Sequence, residues 1–147
     1  TITNMNAKVI ENTKNVIIFP EQIERVAISF FQGFTKEMME YTKAHGILAI
    51  PAAMTPTEIE TQFNMGADIV KVFPARTVGP KFFKDVQAPL GKLRLMAVGG
   101  VGVSNYQEFF DHDCQYVGMG TGMFGNLNLE TASDEEIRAV LNTYLTK

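Results

Sequence analysis

Short apolar runs alternate with amphipathic stretches along the chain from about Asn15 to the C-terminus. This alternation is typical of βα units around a parallel sheet. The predicted strands are Asn15–Phe19, Val26–Phe31, Gly46–Pro51, Asp68–Phe73, Leu93–Val98 and Gln115–Gly118, and the predicted helices are Glu21–Glu24, Lys36–Ala44, Pro56–Met65, Pro80–Val86, Asn105–Phe110 and Asp134–Leu145. Six such units indicate an α/β fold, either a doubly wound sheet or part of a (β/α)8 barrel, which takes about 200 residues or more when complete.

Several helix starts are marked by their sequence. Thr55 is a predicted N-cap, with Pro56 at the first helical position and Glu58 placed to complete a capping box. Ser104 and Ser133 are predicted to cap the last two helices in the same way. No low-complexity linker separates the units, so residues 1–147 are predicted to form one, partial, barrel domain.

Composition narrows the classes of partner. The 147 residues carry a net charge of −3, which argues against nucleic acid and anionic membranes as partners. Cys114 is the single cysteine, so an intrachain disulfide is impossible and a reducing, cytoplasmic location is expected. No apolar run reaches the eighteen or so residues of a membrane span, and the N-terminus lacks a signal-peptide pattern.

Lys71 stands in the middle of an apolar run that predicts a buried strand, 68–73. Alternation places Ile69, Lys71 and Phe73 on one face, so Lys71 points into the barrel if the other face packs against helices. A buried lysine is rare, and a lowered pKa turns its amine into a nucleophile for ketones. The alternatives are a lysine paired with a buried acid and a strand register in which the lysine reaches solvent.

Two glycine-rich segments directly follow the last two predicted strands. They are Gly99-Gly100-Val101 and Gly118-Met119-Gly120-Thr121-Gly122. Glycines let backbone N–H groups approach an anion closely. In a (β/α)8 barrel, the loops after the last two strands frequently form a phosphate site. The pair of segments therefore predicts phosphate binding, although tight turns also require glycine.

Other candidate residues give weaker patterns. His45 precedes the glycine that ends a predicted helix and is interpreted as a partner of the helix dipole. His112, between Asp111 and Asp113, is interpreted as part of an exposed loop rather than as a metal ligand. Cys114 has no activating neighbour and is predicted to be packed in the core. No metal site is expected.

Four motifs, in order and spacing, resemble those of the KDPG/KHG aldolase family. They are Ile50-Pro51-Ala52-Ala53-Met54-Thr55-Pro56-Thr57-Glu58, Lys71-Val72-Phe73-Pro74-Ala75, Gly99-Gly100-Val101 and Val117-Gly118-Met119-Gly120-Thr121. The resemblance implies a homotrimeric (β/α)8 barrel that needs no metal or other cofactor. It implies cleavage of 2-keto-3-deoxy-6-phosphogluconate or 4-hydroxy-2-oxoglutarate to pyruvate and an aldehyde.

The resemblance also implies roles for individual residues. Lys71 would form a Schiff base with the 2-keto group of the small-molecule substrate. The residues implied at the substrate and its phosphate are Pro51, Phe73, Pro74, Gly99, Gly100, Gly120 and Thr121. Thr121 stands where the family usually has serine.

The chain departs from the family pattern in its first part. The family's general base is a glutamate on the second barrel strand, followed by a carboxylate-binding arginine, and neither has a counterpart here. Counting back from Lys71 makes 26–31 the fourth strand and 15–19 the third. The first two units are therefore expected to be missing, either by truncation or in a short variant. Phe31-Gln32-Gly33 replaces the usual Ser-Pro-Gly, and Val98 replaces a threonine.

Three functional hypotheses remain open from the sequence. The first is an active, pyruvate-releasing aldolase with Lys71 as nucleophile and an acid or water in place of the base. The second is an inactive remnant or a module that binds phosphate ligands without turnover. The third is another phosphate-binding barrel, similar to thiamine-phosphate synthase, in which Lys71 is dispensable.

Overall fold

The computed structural model describes residues 16–17, 26–28 and 33–145 of the chain. Within these residues, parallel strands alternate with helices. The strands are β1 (Val16–Ile17), β2 (Val26–Ile28), β3 (Leu48–Ile50), β4 (Ala52–Ala53), β5 (Val70–Val72), β6 (Leu95–Val98) and β7 (Tyr116–Gly118). The helices are α1 (Lys36–Ala44), α2 (Pro56–Met65), α3 (Ala75–Val78), α4 (Lys81–Leu90), α5 (Tyr106–Asp111) and α6 (Asp134–Leu145), and a 3₁₀ turn covers Thr121–Phe124. This alternation confirms the predicted α/β architecture.

All the paired strands run parallel. One sheet has the order β1-β7-β6-β5-β4, and β2 pairs with β3 in a second. Pro51 separates β3 from β4, because proline has no N–H to donate to a ladder. The strand predicted over 46–51 is therefore β3, and a further short strand, β4, follows Pro51 and joins the other sheet.

The place of β1 differs from the prediction. Val16 pairs with Tyr116, and Ile17 pairs with Val117, so β1 lies beside the last strand. In a complete eight-stranded barrel the last strand pairs with the first, whereas a third strand lies between the second and the fourth. The pairing thus contradicts the assignment of residues 15–19 as the third strand. The predicted helix at Glu21–Glu24 lies outside the described residues.

Two short elements and one helix start were not predicted correctly. The four-residue α3 and the 3₁₀ turn are too short to show a period in the sequence. The N-cap of α5 is Asn105 and not Ser104, and the Asn105 side chain hydrogen-bonds the preceding loop and not the helix start. By contrast, the capping box of Thr55 and Glu58 is confirmed.

The sheet has two apolar faces with different neighbours. The outer face packs against the helices, and its strand residues are Ala49, Ala53, Val70, Val72, Leu95, Ala97 and Val117. A smaller inner cluster comprises Ile50, Ile69 and Met96, with Leu48, Val98 and Tyr116 packed on it. The two clusters alternate along each strand, as expected for a sheet that curves around an interior.

Candidate active site

Lys71 lies in the middle of β5 and is 1% exposed. Its neighbours Val70 and Val72 belong to the outer cluster, and Ile69 belongs to the inner one. The alternation predicted from the sequence is therefore confirmed, and Lys71 shares the inner face with Ile69. The alternative in which this lysine reaches solvent is wrong.

The backbone of the neighbouring strands fixes the position of Lys71. Its N–H donates a hydrogen bond of 2.8 Å to the carbonyl oxygen of Pro51, and in register it lies between Ala52 and Met96. Two residues later, the N–H of Phe73 donates to the carbonyl of Ala53 at 3.2 Å. Pro51 thus borders the lysine through its backbone, and its side chain is fully buried.

Burial raises the neutral fraction of the Lys71 amine. Burial lowers the pKa of Lys71 from its ordinary value of 10.5 to about 8, because the ammonium loses hydration. The Lys71 Nζ atom lies 5.3 Å from the centre of the Phe73 ring. At pH 7 such a pKa leaves about one amine in ten unprotonated, against fewer than about one in a thousand for an ordinary lysine. A neutral amine on an inner barrel face has the chemistry to attack a carbonyl carbon.

The corner after β5 packs against the first glycine segment. A Cβ atom placed on Gly99 would lie 2.9 Å from Phe73 Cε2 and 3.2 Å from Pro74 Cα. A larger residue at this position would push the corner away. Phe73 and Pro74 therefore connect the lysine strand directly to the loop after β6.

The Gly99-Gly100 loop has a backbone that favours glycine, with φ angles of +89° and +80°. The Asn105 side chain braces the loop, because its Nδ2 donates to the Gly100 carbonyl and its Oδ1 accepts from the Gly102 N–H, both at 2.9 Å. Within residues 33–145, no group accepts a hydrogen bond from the N–H of Gly100 or Val101. Adjacent donors of this kind are what a bound anion requires.

The second glycine segment touches the first. A Cβ atom on Gly102 would lie 2.6 Å from the Gly122 carbonyl oxygen, and the Val103 N–H donates to that oxygen at 3.1 Å. Gly120 and Thr121 are exposed at the start of the 3₁₀ turn that contains Gly122. The structure thus brings together the two segments for which phosphate binding was predicted.

Two residues that position this region were missed in the sequence. Asn105 holds the first loop, as described, and the hydroxyl of Tyr144 on α6 donates to the Met123 carbonyl in the 3₁₀ turn at 2.9 Å. An Asn three residues after a glycine is a weak hint of such bracing. The partner of Tyr144 lies 21 residues away, so no local pattern could have revealed it.

The weaker candidates lie away from this region. His45 is the C-cap of α1, with its Nδ1 atom 2.8 Å from the Tyr41 carbonyl, and His112 Nδ1 lies 2.8 Å from the Glu108 carbonyl. Cys114 is buried, and burial raises the pKa of its thiol to about 12. Among the described residues, no group of three or more His, Cys, Asp or Glu side chains could hold a metal ion. No helix in the described part is long and apolar enough to cross a bilayer.

Comparison with known proteins identifies one family over most of the chain. The family model for KDPG and KHG aldolase matches residues 19–140. A curated relative, 2-dehydro-3-deoxy-6-phosphogalactonate aldolase from Escherichia coli strain K12, is 28% identical over 114 residues, which are 74% of this chain and 56% of the relative. The chain spans about half the length of the curated relatives it matches.

Solved structures show the same fold at low sequence identity. One is 2-keto-3-deoxy-6-phosphogluconate aldolase of Zymomonas mobilis with 3-phosphoglycerate, with a TM-score of 0.64, 18% identity, and coverage of 77% of this chain and 52% of that one. Another is KDPG aldolase from Legionella pneumophila, with pyruvate captured as a covalent carbinolamine. It has a TM-score of 0.59, 24% identity, and coverage of 82% and 52%. These matches confirm the predicted fold class, a partial (β/α)8 barrel.

Proposed function

The chain belongs to the KDPG and KHG aldolase family, and from that premise we propose that it is a class I aldolase with Lys71 as its Schiff-base residue. The substrate is a 2-keto-3-deoxy-6-phospho sugar acid or 4-hydroxy-2-oxoglutarate, and the products are pyruvate and an aldehyde. The single observation that carries this proposal is the burial of Lys71 on the inner face, with its pKa lowered to about 8.

The reaction begins when the neutral Lys71 amine attacks the C2 carbonyl carbon. The carbonyl oxygen takes up a proton, which gives a carbinolamine. Protonation of the carbinolamine hydroxyl and its departure as water then form a protonated imine. In the Legionella pneumophila relative, pyruvate was captured as a covalent carbinolamine, which is the first adduct of such a sequence. Burial suits the attack, because it raises the fraction of the amine that is neutral.

Carbon–carbon cleavage follows from the imine. Removal of the proton on the C4 hydroxyl lets the C3–C4 bond break, and its electron pair moves through C2 to the imine nitrogen. The aldehyde leaves, and an enamine remains on Lys71. Protonation at C3 and hydrolysis of the resulting imine then release pyruvate and restore the amine.

The remaining site residues bind the rest of the substrate in this proposal. Pro51, Phe73 and Pro74 form the wall beside the imine. Backbone donors near Gly99 and Gly100, together with Gly120 and the Thr121 hydroxyl, hold the phosphate. Supporting this arrangement, the two glycine segments touch each other, and Gly99 of the first segment touches the Phe73-Pro74 corner. The Zymomonas mobilis relative holds 3-phosphoglycerate, a phosphorylated acid.

The proton acceptor for the C4 hydroxyl distinguishes turnover from binding alone. The sequence offers no counterpart of the glutamate base implied by the family resemblance, so an acid of another position or water takes this role in the proposal. Replacing a positioned base by water lowers the rate by about 10²–10⁴-fold. A protein that forms the imine without turnover, or that binds phosphate ligands only, is therefore the second candidate.

The test measures pyruvate release from 2-keto-3-deoxy-6-phosphogluconate and from 4-hydroxy-2-oxoglutarate, with lactate dehydrogenase as the coupling enzyme. Release that disappears in Lys71→Met supports the aldolase. Imine formation without release supports the second candidate. Release that persists in Lys71→Met contradicts both, and favours a phosphate-binding barrel in which this lysine is dispensable.

A homotrimer and a cytoplasmic location complete the proposal. Both come from the family resemblance and, for the location, from the single cysteine. Light scattering coupled to size exclusion tests the assembly directly. A mass near three times 16.3 kDa supports the trimer, and a monodisperse monomer contradicts it.

A further inference from the structure

Arg76 lies against the glycine loop after β6, although it is part of neither glycine segment. Its backbone N–H donates to the Gly99 carbonyl at 3.0 Å. A Cβ atom placed on Gly100 would lie 2.6 Å from Arg76 Cβ and 2.8 Å from Arg76 Cδ. The aliphatic part of the side chain therefore lies against Gly100, and the guanidinium group begins one bond beyond that contact.

Within the described residues, the positive charge of Arg76 is not neutralised by an ion pair. The segments that follow strands β4 to β7, each up to the next long helix, are 54–55, 73–80, 99–105 and 119–133. Arg76 is the one cationic residue in them, and Glu130 is the one anionic residue. Among the described residues, no carboxylate lies within 4.0 Å of the Arg76 guanidinium. The side chain is also exposed, so its charge faces the space outside these loops.

A cation beside unused backbone donors is suited to an anion. The N–H groups of Gly100 and Val101 have no acceptor within residues 33–145. Arginine presents several N–H donors in a planar fork that matches the geometry of a phosphate. Backbone donors alone bind a phosphate by hydrogen bonds, whereas a guanidinium adds a full opposite charge.

We propose that Arg76 is a specificity-determining residue that makes this chain select phosphorylated keto acids over their unphosphorylated counterparts. The inference rests on the proposed function, since it assigns the phosphate end of the substrate to the loop after β6. It narrows that function, because 4-hydroxy-2-oxoglutarate ends in a carboxylate with one negative charge, whereas a phosphate group carries nearly two and attracts a guanidinium more strongly.

The test compares Arg76→Gln with Arg76→Lys, and uses Lys81→Gln as a matched control. Lys81 is exposed and begins α4, five residues further along the chain. The probe is 3-phosphoglycerate, whose binding is measured by titration calorimetry with glycerate as the unphosphorylated comparison. We expect Arg76→Gln to weaken 3-phosphoglycerate binding by about tenfold or more, which is typical of losing a charged hydrogen-bond partner. Arg76→Lys recovers part of that loss, and Lys81→Gln has no effect.

Trapping of pyruvate on Lys71 with borohydride separates this inference from the proposed function. Pyruvate has no phosphate, so Arg76→Gln should trap it as fast as the native chain does. Suppose that the native chain traps pyruvate. The role of Arg76 is then contradicted if Arg76→Gln binds 3-phosphoglycerate as tightly as the native chain does, or if the native chain does not bind this compound. In both cases the aldolase proposal stands. If Arg76→Gln loses binding while the native chain never traps pyruvate, the Arg76 site stands and the Schiff-base proposal fails.

Discussion

Lys71 on β5 and Cys114 just before β7 are both 1% exposed, and both carry a potential nucleophile. Burial acts on them in opposite directions. It lowers the pKa of Lys71 to about 8, and it raises the pKa of Cys114 to about 12. The cause is the same, because a low-dielectric environment disfavours the charged form of any group.

The difference lies in which form reacts. The nucleophilic form of lysine is the neutral amine, so burial activates Lys71. The nucleophilic form of cysteine is the thiolate, so burial makes Cys114 unreactive. The surroundings agree with this contrast. Lys71 lies on the inner face, whereas the Cys114 thiol donates to the Tyr116 carbonyl at 3.0 Å and belongs to the cluster beneath the helices.

Replacing the amine should have the largest effect. We expect Lys71→Met to abolish borohydride trapping of pyruvate, because no other described lysine is buried. The control Lys84→Met, on the exposed side of α4, should trap at the native rate. Circular dichroism should show both variants folded, since methionine fills a similar volume without placing a charge in the interior. An adduct that forms equally well in Lys71→Met would contradict the claim that burial activates Lys71.

The second largest effect concerns the thiol. At pH 8 a pKa of about 12 leaves a thiolate fraction about 10³-fold below that of an ordinary cysteine. Iodoacetamide should therefore alkylate Cys114 in the folded chain at least about 10³-fold more slowly than in urea, as followed by mass spectrometry. Similar alkylation rates in the folded chain and in urea would mean that burial does not reduce the reactivity of the Cys114 thiol.

The pH dependence of trapping sharpens the statement about Lys71. The initial trapping rate at low pyruvate should rise about fifty-fold from pH 6 to pH 8, following the neutral amine, and level off above pH 9. A rate that still climbs towards pH 10.5 would indicate an ordinary lysine.

The free energy of unfolding should depend on pH because of the lowered pKa of Lys71. Because the folded-state pKa lies below that of the unfolded chain, the unfolded state binds more protons between pH 8 and 10.5. The cost of the buried ammonium is fully present below pH 8 and disappears as the pH rises through that window. Urea denaturation should show Lys71→Met gaining most over the native chain at low pH, with the difference shrinking towards pH 10.5. A difference that does not change with pH would contradict the shift.

The smallest effect tests a buried polar group that is not proposed to react. Gln62 on α2 is buried, and its Oε1 accepts from the Phe34 N–H at 3.3 Å. Gln62→Leu should lower the free energy of unfolding by about 1–3 kcal/mol, because the Phe34 donor loses its acceptor in the interior. The control Gln107→Leu, at an exposed position on α5, should change it by less than about 0.5 kcal/mol. Trapping at Lys71 should be unchanged in both, and a loss of trapping in Gln62→Leu would extend the site to α2.

The features of this molecule that could be predicted from the sequence are those with a local pattern, such as the alternation of residues along a strand. Residues around Lys71 alternate strictly between the two faces of the strand, so the face on which Lys71 lies could be predicted by counting residues. The capping box at Thr55 could be predicted from local hydrogen-bonding chemistry. The pairing of β1 with β7 joins residues 100 positions apart and left no local pattern. The same holds for the Tyr144 contact with Met123, and for Arg76, whose neighbour Gly100 belongs to another loop. Contacts between loops depend on how the strands are arranged, and that arrangement was unknown from periodicity alone.

The most direct test of the account is to reduce the native chain with borohydride in the presence of pyruvate at pH 8, and to map the adduct by peptide mass spectrometry. The account predicts one reduced pyruvyl group, located on Lys71. A folded protein with no adduct, or with an adduct spread over exposed lysines such as Lys81 and Lys84, would contradict the claim that burial has made Lys71 the nucleophile.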